Sequence, residues 1–482
     1  MVQTKPKPIF PKEYVIDPNT LAAQRYGTLE MVEIWGAEAT MDYSLQVQGQ
    51  AAVTLSELYP DLVPPDHASE IAGKASIRYV SPDRIRELEA RTGHDVIAIN
   101  TALEEQVSPE AGAHINKAKT SADTTQPARA LQLKRSLVVI ADSVENLRDI
   151  LLEVAMEGMA IPHMDQSHLI DALPTFAGRP LVHYAEMLQS DLRCLKYVHD
   201  NSIIGKWADA TGNHHSATLL GIDGILLQQE YCKALGIGYM DAPAQLPGLE
   251  FEADIAFAMA RIAETMNNIA RYLAMGKGTD TNVFSDTNPR RRKGSSGMPH
   301  KDMVGGNPTA EEQVMSLRNY LHGLVATALD NCQFPYCRDL SASSNARINF
   351  EDGFKYLDHC IRRLASAVYW LGINEDRSRE RVERTFGVVT SQAVMTYLTD
   401  QRFVANPMVR SEAHNLTARL ATEAYEQRRP YIEVLLECEE VTSRIDEQTL
   451  RKITDPSQYV GESQRIIQTV FNKYYQVKTL TG

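Results

Sequence analysis

Nowhere in this chain do apolar residues run on for the length that a bilayer crossing requires. The opening residues, Met1 to Phe10, lack the apolar core of a secretory leader. A membrane or exported protein is therefore not expected, and a cytoplasmic one is. Basic residues are in deficit: 49 Lys and Arg stand against 62 Asp and Glu, a formal charge of −13. That balance argues against bulk attraction to nucleic acid, and an anionic ligand would need a local basic pocket working against the field. Cysteine is sparse and unpatterned. None of Cys194, Cys232, Cys332, Cys337, Cys360 and Cys438 forms a CxxC, and no histidine partners them at zinc spacing. Reduced thiols and no metal are the simple expectation. Short-period repeats are absent too.

What the chain does have is helical periodicity. Leu133, Leu137, Ile140, Val144, Leu147, Leu151 and Val154 step by fours and threes. Ile255, Met259, Ile262, Met266, Ile269 and Leu273 do the same, with Gly276 as a stop, and Val314, Leu317, Leu321, Leu324 and Ala328 make a third stripe. Such spacing predicts one apolar seam per helix and near-parallel bundle packing. Few stretches alternate as strands, so the fold class is all-α. Polar residues Lys117 to Gln126 mark one boundary, and Asn374-Glu375-Asp376-Arg377 another. Three domains are expected: 1–119, a central long-helix bundle 120–374, and 375–482.

Between the second and third stripes lies Gly294-Ser295-Ser296-Gly297-Met298-Pro299-His300-Lys301. A Ser/Gly loop of this kind often serves as a plain surface linker. This one also holds two hydroxyls, glycines that let backbone N–H groups approach a ligand, and a lysine. Those parts suit a carboxylate and the charge that develops when a neighbouring carbon loses a proton. His168 follows Gln166-Ser167 and precedes Pro174-Thr175 and Gly178; a histidine in a polar turn either simply hydrogen-bonds or acts as a general acid. Thr120-Ser121-Ala122-Asp123 precedes the first stripe, as a helix N-cap does, and a helix N-terminus is itself an anion site.

Taken together these segments resemble the fumarase/aspartase superfamily, whose signature loop reads Gly-Ser-Ser-x-Met-Pro-x-Lys-x-Asn. Arg25-Tyr26, His94-Asp95-Val96 and Arg338-Asp339-Leu340-Ser341-Ala342-Ser343 running on to Arg347 narrow the resemblance to the adenylosuccinate lyase family. Gly205-Lys206 with Ala210-Thr211-Gly212, and Gln245, are similar to further segments of that family. The match runs from about residue 25 to about residue 420. Departures stand at Gln166 and Leu169, at Lys117 and Lys119, at Gln126-Pro127, and at Leu249, where the family has an arginine. Five residues separate Lys301 from Asn307 where the family has one.

The resemblance implies an all-α, three-domain fold whose central bundle tetramerises, with active sites built from three chains. It implies β-elimination of fumarate from a succinylated purine nucleotide, a small-molecule substrate, with no cofactor, since the substrate carboxylate is its own electron sink. Ser295 would take the proton, and His168 would protonate the departing nitrogen. Ser296, Lys301 and Asn307 would hold the carboxylate intermediate, and Thr120 and Ser121 would line the site with Gln245. Arg25, Tyr26, His94, Asp95, Arg338, Ser343 and Arg347 would meet the nucleotide end, where guanidinium forks and hydroxyls suit a phosphate. Another fumarate-releasing C–N lyase, or a silent tetrameric binding protein, are the alternatives.

Overall fold

A computed structural model describes residues 25–289, 295–302, 306–333 and 335–480. The chain is 65% helical, so the expected class holds. Among the described residues, strands are confined to two-residue to seven-residue pieces in two-stranded sheets. No helix among the described residues is long and apolar enough to cross a membrane.

The first helices are α1 (Leu29–Trp35), α2 (Ala37–Leu58), α3 (Pro65–Lys74), α4 (Pro82–Thr92) and α5 (Asp95–Glu104). The first long helix, α6 (Ala122–Glu157), ends in a hairpin of β1 (Pro162–Ser167) and β2 (Ile170–Phe176). Helix α7 (Gly178–Asn201) returns, and β3 (Ile204–Gly205), α8 (Gly224–Ala234) and β4 (Gly238–Tyr239) lead into α9 (Glu250–Gly276). Strand β5 (Phe284–Asp286) precedes the signature loop, followed by α10 (Thr309–Asp330) and α11 (Ser343–Tyr369). Strand β6 (Leu371–Ile373) then pairs antiparallel with β5.

The stripes explain the packing. Every residue of the first two is buried, as are Val314, Leu321, Leu324 and Ala328 of the third, with Leu317 partly buried. Helices α6, α7, α9, α10 and α11 bury these seams against one another, and one core runs from Met31 to Leu480. A second core, Ala393 to Ile453, gathers the helices beyond β6. The last helix, α12 (Ser463–Tyr474), leaves it and returns Ile467 and Val470 to the main core.

Gly276 does end α9, but not as a left-handed cap; the next residue, Lys277, has φ −85°. A Cβ at Gly276 would lie 2.1 Å from the Phe284 ring, so the glycine lets β5 close over the helix end.

A buried network ties the N-terminal segment to the bundle. Asp358 on α11 accepts from Thr28 Oγ1 (2.6 Å) and Ser143 Oγ (2.7 Å) and pairs with Arg362, which also reaches Glu30 (3.1 Å).

Candidate active site

The start of α6 is shaped by Asp123. Its carboxylate accepts from the Thr120 amide (2.8 Å), from Ala208 N (3.0 Å) and Asp209 N (3.2 Å), and from Lys206 Nζ (2.6 Å). Both Asp123 and Lys206 are fully buried. A buried charge is tolerated only when paired and hydrogen-bonded, and this one fastens the Thr120-Ser121 loop to the segment after β3. Asn116 and Ala118, just before it, both hold positive φ (56° and 55°). Lys119 Nζ donates to Gln48 Oε1 (3.1 Å), and burial pulls its ammonium down to about 7.

From that loop a polar chain runs outward. Ser121 Oγ lies 3.2 Å from His94 Nε2; His94 Nδ1 lies 3.3 Å from Asp95; Asp95 Oδ2 lies 3.3 Å from Arg347. Arg338 Nη1 donates to Gln245 Oε1 at 3.4 Å. Arg338 Nε is buried with no hydrogen-bond partner among the described residues. Burial and the neighbouring Arg347 both lower the Arg338 guanidinium's hold on its proton. Ser343 opens α11, where free amides and the helix dipole favour an anion. Asp95, Arg338, Ser343 and Arg347 line one cavity of about 470 Å³, whose inner wall is Trp35, Met41, Ile85, Ile99, Leu246 and Leu249. The expected His94, Asp95, Ser121, Gln245, Arg338, Ser343 and Arg347 are thus brought together, with Thr120 at the loop's root.

Arg25 and Tyr26 do not join them within the chain. Arg25 is exposed, and the Tyr26 ring packs edge-on against Tyr356 and His359. Tyr356 stands nine residues beyond Arg347, about 14 Å along α11.

The other expected groups lie at the opposite end of the bundle. The starts of α6, α9 and α11 share the first cavity through Arg129, Glu252 and Ser343. The end of α9, the start of α7 and the β1–β2 hairpin share a second cleft of about 970 Å³. Helix α9 has 27 residues, so roughly 40 Å separates its ends.

At this far end His168 forms the exposed tip of the hairpin. Ser167 pairs with Ile170, and His168 and Leu169 between them have φ of 54° and 65°, the pair a type I′ turn requires. The sequence reading of a polar turn is therefore refined to a two-residue hairpin. Its stem is held by Asp171, which accepts from Gln166 (2.9 Å), Arg381 (2.9 Å) and Arg384 (3.0 Å). Behind it His163 is buried, 3.1 Å from Ser378 Oγ, and desolvation lowers its imidazole to about 4.

Gly294 lies outside the described residues. Ser295 Oγ accepts from the amides of Gly297 (3.3 Å) and Met298 (3.1 Å), ahead of a 3-10 turn, Pro299–Asp302. Ser296 is exposed. Lys301 Nζ donates to Asn307 Oδ1 (3.1 Å). The extra residues after Lys301 thus leave Asn307 beside it.

Sequence reasoning missed the Arg129–Glu252 pair on the floor of the first cavity, and the partner of Lys206. The available signal was Gln126, Arg129 and Gln132, polar residues three apart beside an apolar stripe. Among the described residues no three His, Cys, Asp or Glu side chains converge as metal ligands would.

Comparison with known proteins follows the same lines. The family described as Lyase matches residues 25–319, and that described as Adenylosuccinate lyase C-terminus matches residues 387–470. Adenylosuccinate lyase of Methanocaldococcus jannaschii is 30% identical over 456 residues, 94% of this chain and 96% of that protein. The enzyme of the same name from Methanothermobacter thermautotrophicus is 27% identical, over 93% of this chain and 97% of its own. Among solved structures, 3-carboxy-cis,cis-muconate lactonizing enzyme from Pseudomonas putida superposes with a TM-score of 0.81 at 19% identity, covering 95% of this chain and 99% of that one. Fumarate lyase from Mesorhizobium sp. BNC1 gives 0.79 at 20% identity, covering 93% and 98%. At such identities the structural likeness speaks for the fold.

Proposed function

The chain belongs to the adenylosuccinate lyase family of the fumarase/aspartase superfamily, and from that premise we propose that it eliminates fumarate from adenylosuccinate to leave AMP. The related succinylated aminoimidazole carboxamide ribotide is its second substrate. One observation carries the nucleotide reading: the buried Arg338 Nε, without a hydrogen-bond partner among the described residues, beside Arg347 and the N-terminus of α11. Two guanidinium groups, a hydroxyl and helix amides offer more donors than a single carboxylate uses, and they suit a phosphate dianion.

In the elimination, Ser295 takes a proton from the succinyl carbon beside a carboxylate. Hydrogen bonds to the charged form of a group favour that form, so the Gly297 and Met298 amides on Ser295 Oγ support the alkoxide. Electron density moves into the carboxylate, where Ser296, Lys301 and Asn307 hold it. Collapse of that intermediate breaks the C–N bond, and His168 gives a proton to the nitrogen, which leaves neutral. Thr120, Ser121 and Gln245 line the succinyl side. His94 and Asp95 orient the nucleotide, and Arg25 and Tyr26 reach it from a neighbouring chain.

A bundle length between the two sets of residues supports a site completed by antiparallel neighbours, hence a cytoplasmic homotetramer with shared sites. Mixing the pure protein with adenylosuccinate while following absorbance and released fumarate tests the activity. Fumarate released from another succinylated amine, with adenylosuccinate untouched, would replace the substrate.

A further inference from the structure

The first cavity holds a third guanidinium that the mechanism leaves unused. Arg129 sits two turns into α6 with its side chain 14% exposed. Its Nε and Nη2 donate to the two Glu252 oxygens at 2.5 and 3.0 Å, and Nη2 also donates to Ala346 O at 2.9 Å. Its plane lies over Phe350, 5.1 Å from the ring centre. Three elements, α6, α9 and α11, therefore fix one group. The remaining amino group, Nη1, has no partner among the described residues and is not sealed from solvent. Leu249, where the family pattern has an arginine, lines the same cavity and is 4% exposed.

The charge balance indicates what Nη1 can take. Glu252 already neutralises the guanidinium, so a second anion would find little net attraction. A neutral acceptor loses less hydration and still gains a hydrogen bond to an immobile donor. Trp35, Met41, Ile85, Ile99 and Leu246 in the same wall suit a flat heterocycle rather than a sugar. We propose that Arg129 is a specificity-determining residue that donates from Nη1 to a ring nitrogen of the purine, while Arg338 and Arg347 take the phosphate. This rests on the nucleotide reading above.

The test uses the whole assembled protein and AMP. Arg129→Lys keeps a cation against Glu252 but loses the fork. Calorimetry should show AMP bound about tenfold more weakly. For the succinylated substrate KM should rise similarly with kcat held, because the contact is to a part that does not react. AMP analogues in which one ring nitrogen is replaced by CH complete a cycle. One of them should bind wild type as weakly as Arg129→Lys binds AMP, and should lose nothing further in the variant. A loss seen with 2′-deoxy-AMP and with no ring analogue would move the contact to the ribose and overturn the assignment. Equal AMP affinity in wild type and variant would overturn it outright. If wild type binds no AMP, the nucleotide reading itself fails. Should Arg129→Lys not fold, Arg129→Leu with Glu252→Leu removes both charges together and gives the same comparison.

Discussion

If each active site draws its signature loop and its hairpin from different chains, two dead proteins can make a live one. Ser295→Ala and His168→Asn should each lose about 10²–10⁴-fold in kcat, the range for a positioned proton-transfer group. The roughly 40 Å between the ends of α9 is several side-chain lengths. The far-end groups of one chain therefore cannot serve the cavity of the same chain. In an equimolar mixture with complete subunit exchange, a site works when its loop comes from a His168→Asn chain and its hairpin from a Ser295→Ala chain. Each draw has an even chance, so about one quarter of wild-type activity should return. Differently labelled subunits, followed by native mass spectrometry, establish that exchange has occurred, and fumarate release is assayed on the same sample. Exchange without recovery would refute the division of loop and hairpin between different chains, and sedimentation as a stable monomer would refute the shared site altogether.

Three further outcomes are expected. Arg347→Met should weaken AMP binding by roughly 1.5–3 kcal/mol while leaving adenosine affinity nearly unchanged, read by calorimetry; equal AMP affinity would take Arg347 out of the phosphate site. Lys206→Met should cost about 3–5 kcal/mol in urea unfolding at fixed subunit concentration, because Asp123 is left as an unpaired buried charge. Adding Asp123→Asn should recover much of that loss, and a single variant as stable as wild type would contradict the pairing. His163 holds its proton only below about 4, whereas an unfolded histidine takes it up near 6.5. Its contribution is thus complete above the unfolded value and drains away as pH falls toward the folded one, by roughly 3 kcal/mol. The unfolding midpoints of wild type and His163→Phe should converge as pH falls, and parallel midpoints would exclude this source of acid sensitivity.

The bundle was readable because a long amphipathic helix prints its buried face at a fixed spacing, and the stripes from Leu133, Ile255 and Val314 are such prints. The loop at 295–301 and the arginine segment at 338–347 were readable because their residue types are rare in combination. Contacts distant in sequence were not. Nothing near Arg129 announces Glu252, and nothing near Asp123 announces Lys206, since pairing across helices depends on the fold rather than on local pattern. The separation of His168 and Ser295 from Arg338 follows from helix direction, which spacing alone does not reveal. The hairpin at 162–176 was hidden because its turn residues, His168 and Leu169, are not the Asn and Gly such turns favour.

That turn has a consequence for evolution and for engineering. Non-glycine residues in the left-handed region cost about 1–2 kcal/mol each. A hairpin chosen for folding alone would carry Asn-Gly at these two positions. Replacing His168-Leu169 with that pair should raise the melting temperature and lower turnover by the same ~10²–10⁴-fold as His168→Asn, because the proposed acid would be gone. A screen for thermostability would therefore favour the very change that lowers turnover. Position 168 is best held fixed in any such library, and position 169 is where stability can be gained without touching the acid.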